Sequence, residues 1–184
     1  MAPYIGNRDI PMTGQAVRWG SAAIWLISHL GPALGGPARP VADVPSLDVL
    51  PIVVAKPYDP AANADAAVNE AFARARLNGK RVLLELGGNW CPDCVILTNV
   101  MKLPSVAPFI AAHYEVVLVD IGRLNRNLQV PERFGFKHRL EGVPFVIVAD
   151  GDGKLLNGTT TATLVTARTM NPQAIVDRLA DWAE

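Results

Sequence analysis

Two cysteines, Cys91 and Cys94, are the only thiols in 184 residues, and both fall in the pentapeptide Trp90-Cys91-Pro92-Asp93-Cys94. Ahead of them an apolar run, Val82-Leu83-Leu84-Glu85-Leu86, passes through Gly87-Gly88-Asn89 into a helical pattern, which places the pair at the start of a helix. Unpaired backbone N–H groups and the positive end of the helix dipole stabilise a thiolate there, and the thiolate is the nucleophile of disulfide exchange. Cys91 is therefore the candidate nucleophile and Cys94 its resolving partner. At this spacing the sulfurs close a small disulfide ring without large backbone movement, so the pair can cycle between oxidised and reduced forms. A loop this short adds little stability as a staple.

Three other uses of the pair stay open on residue types alone. Structural zinc wants four ligands, and the only histidines, His29, His113 and His138, are widely scattered. A Cu(I) site could combine the soft sulfurs with one histidine. Inert buried thiols are the third option. The strand-to-helix setting favours dithiol–disulfide exchange, with no metal and no cofactor.

The elements that must position this dithiol are readable from the rest of the chain. Its length suits one domain plus an extension, and half of its residues are apolar, enough for one buried core. The formal net charge is zero and no strongly charged block stands out, which removes the electrostatic footprint of a nucleic-acid binder. Residues 1–40 read as a signal peptide or N-terminal anchor. Arg8 and Arg18 precede the apolar stretch Ser21 to Leu30, and small residues and prolines follow. The stretch is short for a membrane span. Export to the periplasm, free or membrane-anchored, is the expectation, and a cytoplasmic protein with a disordered extension is the alternative.

Residues 41–60 form a Pro-rich linker with room for one short edge strand at Ile52-Val53-Val54. The folded domain is expected over residues 61–184. Asp65 to Leu77 puts Val68, Ala71, Phe72 and Ala75 on one helical face, and Asn78-Gly79 supplies the stop. The helix opened by the cysteines carries Val95, Ile96, Val100 and Met101 and ends by Pro104; Val106 to His113 is a second short helix. Glu115 to Ile121 reads as a strand buried on both faces, and Pro131 to Phe134 as a helical turn. Phe145 to Val148 is the next strand, and Asp150-Gly151-Asp152-Gly153 turns into Lys154-Leu155-Leu156 as a hairpin. Asn171-Pro172 caps a last helix with Ile175, Val176, Leu179 and Trp182 on one face.

With this element order, the chain resembles the thioredoxin superfamily, specifically bacterial exported thioredoxin-like proteins, over roughly Tyr58 to Ala183. The residues carrying the resemblance are Gly79-Lys80-Arg81-Val82-Leu83-Leu84, Trp90-Cys91-Pro92-Asp93-Cys94, Val119-Asp120, and Gly142-Val143-Pro144 followed by a strand and an Asp-Gly-Lys turn. The resemblance implies an α/β thioredoxin-like fold, a central mixed β-sheet flanked by helices, with the cysteines at its edge. It also implies a cis Pro144 beside the dithiol, and Trp90, Pro92, Val143 and Pro144 as the substrate-binding surface; a plain strand-start proline is the alternative.

Glu85 stands six positions before Cys91, where thioredoxin-like proteins often carry a buried acid. On an apolar strand its carboxylate would be desolvated, its pKa raised, and it could take a proton from Cys94 during resolution. Alternatively it faces water at the sheet's end. Asp93, between the sulfurs, opposes thiolate formation and so tilts the pair toward the reducing side, unless it is only a solvated helix-start acid. Two departures stand out. The strand that often supplies a lysine near the acid reads Val116-Val117. The connection before Pro144 is long and basic, with Arg123, Arg126, Arg133, Lys137, His138 and Arg139; it either steers an acidic partner or is a solvated loop.

The activity implied is that of a thiol–disulfide oxidoreductase. Its partners would be protein disulfide substrates and an upstream thiol–disulfide donor or acceptor. The alternative from another class is a thioredoxin-fold metallochaperone or binding module that uses the sulfurs as soft-metal ligands.

Overall fold

The computed structural model describes residues 38–137 and 140–184. The leader expected over residues 1–40 lies, apart from its last three, outside the described residues, as do His138 and Arg139.

The strand that leads into the cysteines takes the middle of the sheet. β1 (Arg81–Gly87) is buried from Val82 onward. It pairs in parallel with β2 (Tyr114–Asp120) and antiparallel with β3 (Phe145–Ala149), giving the order β2-β1-β3. Alternate β1 side chains point to opposite faces. Val82, Leu84 and Leu86 pack on α1 (Ala64–Asn78) through Val68, Ala71 and Ala75. Leu83 points the other way, into a core built with α2 (Pro92–Met101), α3 (Ala107–His113) and α5 (Pro172–Asp181) by Leu97, Val100, Phe109, Ile175 and Leu179. By this parity Glu85 shares the face of Leu83 and meets α2. Burying each large side chain of these layers contributes about 1.5–3 kcal/mol before entropic costs.

The helix ends follow from local chemistry. Asn63 caps α1 by accepting from the Ala66 N–H at 3.0 Å, and Gly79 ends it at φ 71°, a left-handed position suited to glycine. Asn171 accepts from the Gln173 N–H at 2.8 Å with Pro172 in the first turn of α5, as expected. A short helix, α4 (Gln129–Glu132), lies two residues earlier than the expected turn.

Four expectations change. Ile52-Val53-Val54 is no strand: this stretch joins no ladder, and Ile52 and Val53 are exposed. The supposed linker 41–60 is a strap laid on the domain, contributing Leu50 and Tyr58 to its interior. Its start is tied to α5, where Gln173 Oε1 accepts from the Ala42 N–H at 2.8 Å and Arg39 pairs with Asp181. β2 packs on both faces, Val117 and Val119 toward α1 and Tyr114 and Val116 toward the opposite core, but less completely than expected, because as an edge strand it has a neighbouring strand on one flank only. The hairpin after β3 shrinks to a single bridge, Ala149 to Leu155. There the side-chain amide of Asn157 replaces a fourth strand, accepting from the Val148 N–H and donating to the Val146 carbonyl, each at 2.9 Å. The Thr161 carbonyl takes the Val146 N–H, so this edge is satisfied without a ladder.

Candidate active site

The dithiol stands where β1 hands over to α2. Cys91 is the N-cap of α2 in extended conformation, and its sulfur accepts from the Cys94 N–H at 3.2 Å. Pro92 occupies the first turn, where a missing N–H costs nothing. The sulfurs are joined as a disulfide with the Cα atoms 5.3 Å apart. Cys91 is 3 % exposed and Cys94 fully buried, so any approach to the pair comes from the Cys91 side. There the Val143 carbonyl lies 3.6 Å from Cys91 Sγ, and the Val143–Pro144 peptide bond is cis. Val143 and Pro92 reach the surface while Pro144 is buried.

Trp90, 40 % exposed, forms the adjoining surface rather than core packing. Its Nε1–H donates to the Gly122 carbonyl at 2.6 Å, and the Arg123 guanidinium lies 4.5 Å above its ring. A cleft of about 690 Å³ opens beside it, lined by Asn89, Trp90, Asp120, Gly122, Arg123 and Arg126. The basic connection is thus partly anchored: Arg126 approaches Asp120 at 4.0 Å, and Arg133 pairs with Asp65 on α1.

Glu85 is fully buried on the α2 face of the sheet and does not reach water at the sheet's end. Its neighbours across both ladders are Leu118 and Val146, so no lysine stands beside it in the sheet. The Tyr58 hydroxyl donates to Glu85 Oε1 at 2.7 Å and Thr98 Oγ1 reaches Oε2 at 3.1 Å. Desolvation pushes the carboxyl up to about 8, even though these two hydrogen bonds favour its charged form. A group with that pKa can hold or accept a proton near neutrality.

Asp93 is not a solvated acid. It is 6 % exposed, and its carboxylate accepts from the Arg168 N–H at 2.8 Å and faces Arg168 Nε at 3.7 Å. The residue between the cysteines therefore ties α2 to the 3₁₀ turn Ala167–Thr169. Asp93→Asn keeps an oxygen for the Arg168 N–H while removing the charge beside the sulfurs. It should leave the denaturant midpoint in place and make the disulfide a stronger oxidant against glutathione. Asp93→Ala should in addition lose about 1–2 kcal/mol, because a hydrogen bond to a carboxylate goes unreplaced. Equal destabilisation by both substitutions would show that the hydrogen bond is not what matters.

Tyr58, Thr98, Asn89 and Arg168 were not legible as site residues. Thr98 alone left a signal, since four residues after Cys94 on a helix it shares that sulfur's face. Among the described residues no group of three or more His, Cys, Asp or Glu side chains lies together as a metal site would need.

A thioredoxin-like family model matches residues 63–151. Among solved structures, the chain is similar to a disulphide isomerase from Xylella fastidiosa Temecula1. The two are 37% identical, the alignment covers 70% of this chain and 97% of that one, and the TM-score is 0.65. A Pseudomonas aeruginosa protein of unknown function is 20% identical, with 66% and 82% covered and a TM-score of 0.36, a likeness that carries no argument. No curated protein matches.

Proposed function

We infer, from the premise that this chain belongs to the thioredoxin superfamily, that it reduces disulfides of protein substrates outside the cytoplasm. At the general level it is a thiol–disulfide oxidoreductase, and the observation that carries this is the Cys91–Cys94 disulfide capping α2 beside Val143-Pro144. In the reduced protein the Cys91 thiolate attacks a substrate disulfide; one new S–S bond forms, and the displaced substrate thiolate leaves with the electron pair. The substrate backbone lies along Val143 and Pro144, with Trp90 and Pro92 as the flanking surface. Cys94 then gives up its proton toward Glu85 and attacks Cys91 Sγ. The second substrate thiolate is released, and the protein is left oxidised until an upstream dithiol reduces it.

The reducing direction rests on Asp93. Its charge disfavours a thiolate next to it, and the exposed Arg168 guanidinium at 3.7 Å screens that charge only in part. Placement outside the cytoplasm rests on the order of charge, apolar run and small residues over 1–40. No helix among the described residues is long and apolar enough to cross a membrane.

Both halves of this reading can be tested together. The purified protein should catalyse the reduction of insulin by dithiothreitol in metal-free buffer, and fusion of residues 1–44 to a reporter active only outside the cytoplasm should give signal. Activity that appears only on adding copper or zinc would replace the redox reading with metal binding. A reporter retained wholly in the cytosol would remove the export claim.

A further inference from the structure

The residue that bonds the buried acid and packs in one cluster with the resolving cysteine comes from outside the sheet. The strap runs from Leu50 to Tyr58 without a partner strand, yet two asparagines hold it as a ladder would. Asn99 on α2 accepts from the Val54 N–H at 3.0 Å and donates to the Val54 carbonyl at 2.9 Å. Asn89, just before the cysteines, accepts from the Tyr58 N–H at 2.9 Å and donates to the Tyr58 carbonyl at 2.8 Å. Each side-chain amide satisfies both backbone groups of one strap residue, so the strap is fixed at two points four residues apart.

This clamp serves the Tyr58 side chain. Tyr58 is 2 % exposed and packs with Cys91 and Cys94 in one small cluster, joined by Leu118 and Val143. Its hydroxyl donates to Glu85 Oε1 at 2.7 Å. At Gly87 a Cβ would stand 2.5 Å from Tyr58 Oη and 2.6 Å from Cys94 Sγ, so those two atoms lie within about 5 Å of each other across a position that only glycine leaves open. A hydroxyl can accept one proton while donating another. Neither ladder neighbour of Glu85 can do so, because both are apolar.

We propose that Tyr58 is a proton-relay residue between Cys94 and Glu85, delivered to the dithiol by the asparagine-clamped strap. In the resolving step the Cys94 S–H proton passes to Tyr58 Oη while the Tyr58 hydroxyl proton passes to the Glu85 carboxylate. The Cys94 thiolate so formed attacks Cys91 Sγ, the Cys91–substrate S–S bond breaks, and the substrate sulfur leaves as the thiolate. In re-reduction the proton returns by the same path. The strap thereby supplies from the N-terminal side the polar function that β2 lacks beside the acid.

The relay rests on the reading of Cys91 and Cys94 as an exchange centre, and one experiment separates the two. The reduced protein is mixed with one equivalent of dithiobis(nitrobenzoate). Attack by Cys91 releases the first nitrothiobenzoate, and resolution by Cys94 releases the second. Failure of the wild-type protein to release the second would sink the exchange reading itself. With wild-type resolution in hand, Tyr58→Phe should leave the first release unchanged and slow the second by about tenfold or more at every pH. Thr98→Val removes the other hydrogen bond to Glu85 but leaves the relay. It should move the pH midpoint of the second release upward without lowering its plateau. Tyr58→Phe with a plateau equal to that of Thr98→Val would overturn the relay and leave Tyr58 a packing residue. If the phenylalanine variant does not fold, 3-fluorotyrosine at position 58 keeps the ring and the hydroxyl but makes the latter more acidic. A relay then shows a displaced pH profile for the second release only, and a profile identical to wild type overturns it.

Discussion

Glu85→Gln should make the oxidised protein's stability nearly flat with pH across the range in which the wild-type protein loses it. In the folded state burial pushes the Glu85 carboxyl up to about 8, against an ordinary value of 4.5. Between those values the folded chain holds a proton that the unfolded chain has lost. Unfolding then releases a proton, so stability is fully present below pH 4.5 and declines as pH rises through about 8. The loss amounts to roughly 3 kcal/mol by pH 7 and about 5 kcal/mol once the folded carboxyl is ionised. Glutamine keeps the volume, an oxygen for Tyr58 and an amide toward Thr98, and it binds no proton in either state. Urea midpoints of the two oxidised proteins, in which the cysteines do not titrate, should diverge from pH 5 to about pH 8 with the variant ahead and hold their separation above that. Parallel curves would mean that Glu85 is not held protonated by burial. The same substitution should leave the first thiol attack nearly intact and slow release of the mixed disulfide, since only Cys94 loses its proton acceptor.

The second large effect separates the two sulfurs. Cys91 caps α2, and it alone of the pair has a path to the surface past Trp90, Pro92 and Val143. Cys94 is sealed beneath it against Tyr58. Cys91→Ser should therefore abolish insulin reduction and form no covalent adducts, because a serine hydroxyl at this site carries no thiolate. Cys94→Ser should also stop turnover, but after the first attack, and should accumulate mixed disulfides with protein partners in cells. Adducts on the Cys91→Ser protein, or none on Cys94→Ser, would invert the roles. Identification of the trapped proteins names the substrates.

The parts of this site that the chain announces are those governed by local rules. The cysteine pair, the apolar strand before it, the Asn78-Gly79 stop and the Asn171-Pro172 cap each depend on neighbours a few residues away, and each stands where periodicity and capping put it. The rest depends on partners far along the chain. Tyr58 lies in Lys56-Pro57-Tyr58-Asp59-Pro60, which carries neither helical nor strand period. Its position comes from Asn89, 31 residues on. Asp93 reads as a helix-start acid because Arg168, 75 residues away, leaves no mark near it. The hairpin shrinks for a related reason: the turn Asp150 to Gly153 is present, but the Asn157 amide, with the Thr161 carbonyl and the Leu156 N–H, satisfies the edge that a fourth strand would have covered. Side-chain amides standing in for backbone ladders have no periodicity, and they account for both the strap and the missing strand.

The most direct measurement of the central claim is the alkylation of the fully reduced protein by iodoacetamide at mildly acid pH, quenched at intervals and mapped to each cysteine by mass spectrometry. Labelling should appear on Cys91 far faster than on Cys94, and Glu85→Gln should leave the Cys91 rate unchanged. Equal rates at the two sulfurs, or faster labelling of Cys94, would contradict the account of Cys91 as nucleophile and Cys94 as its buried, acid-served partner.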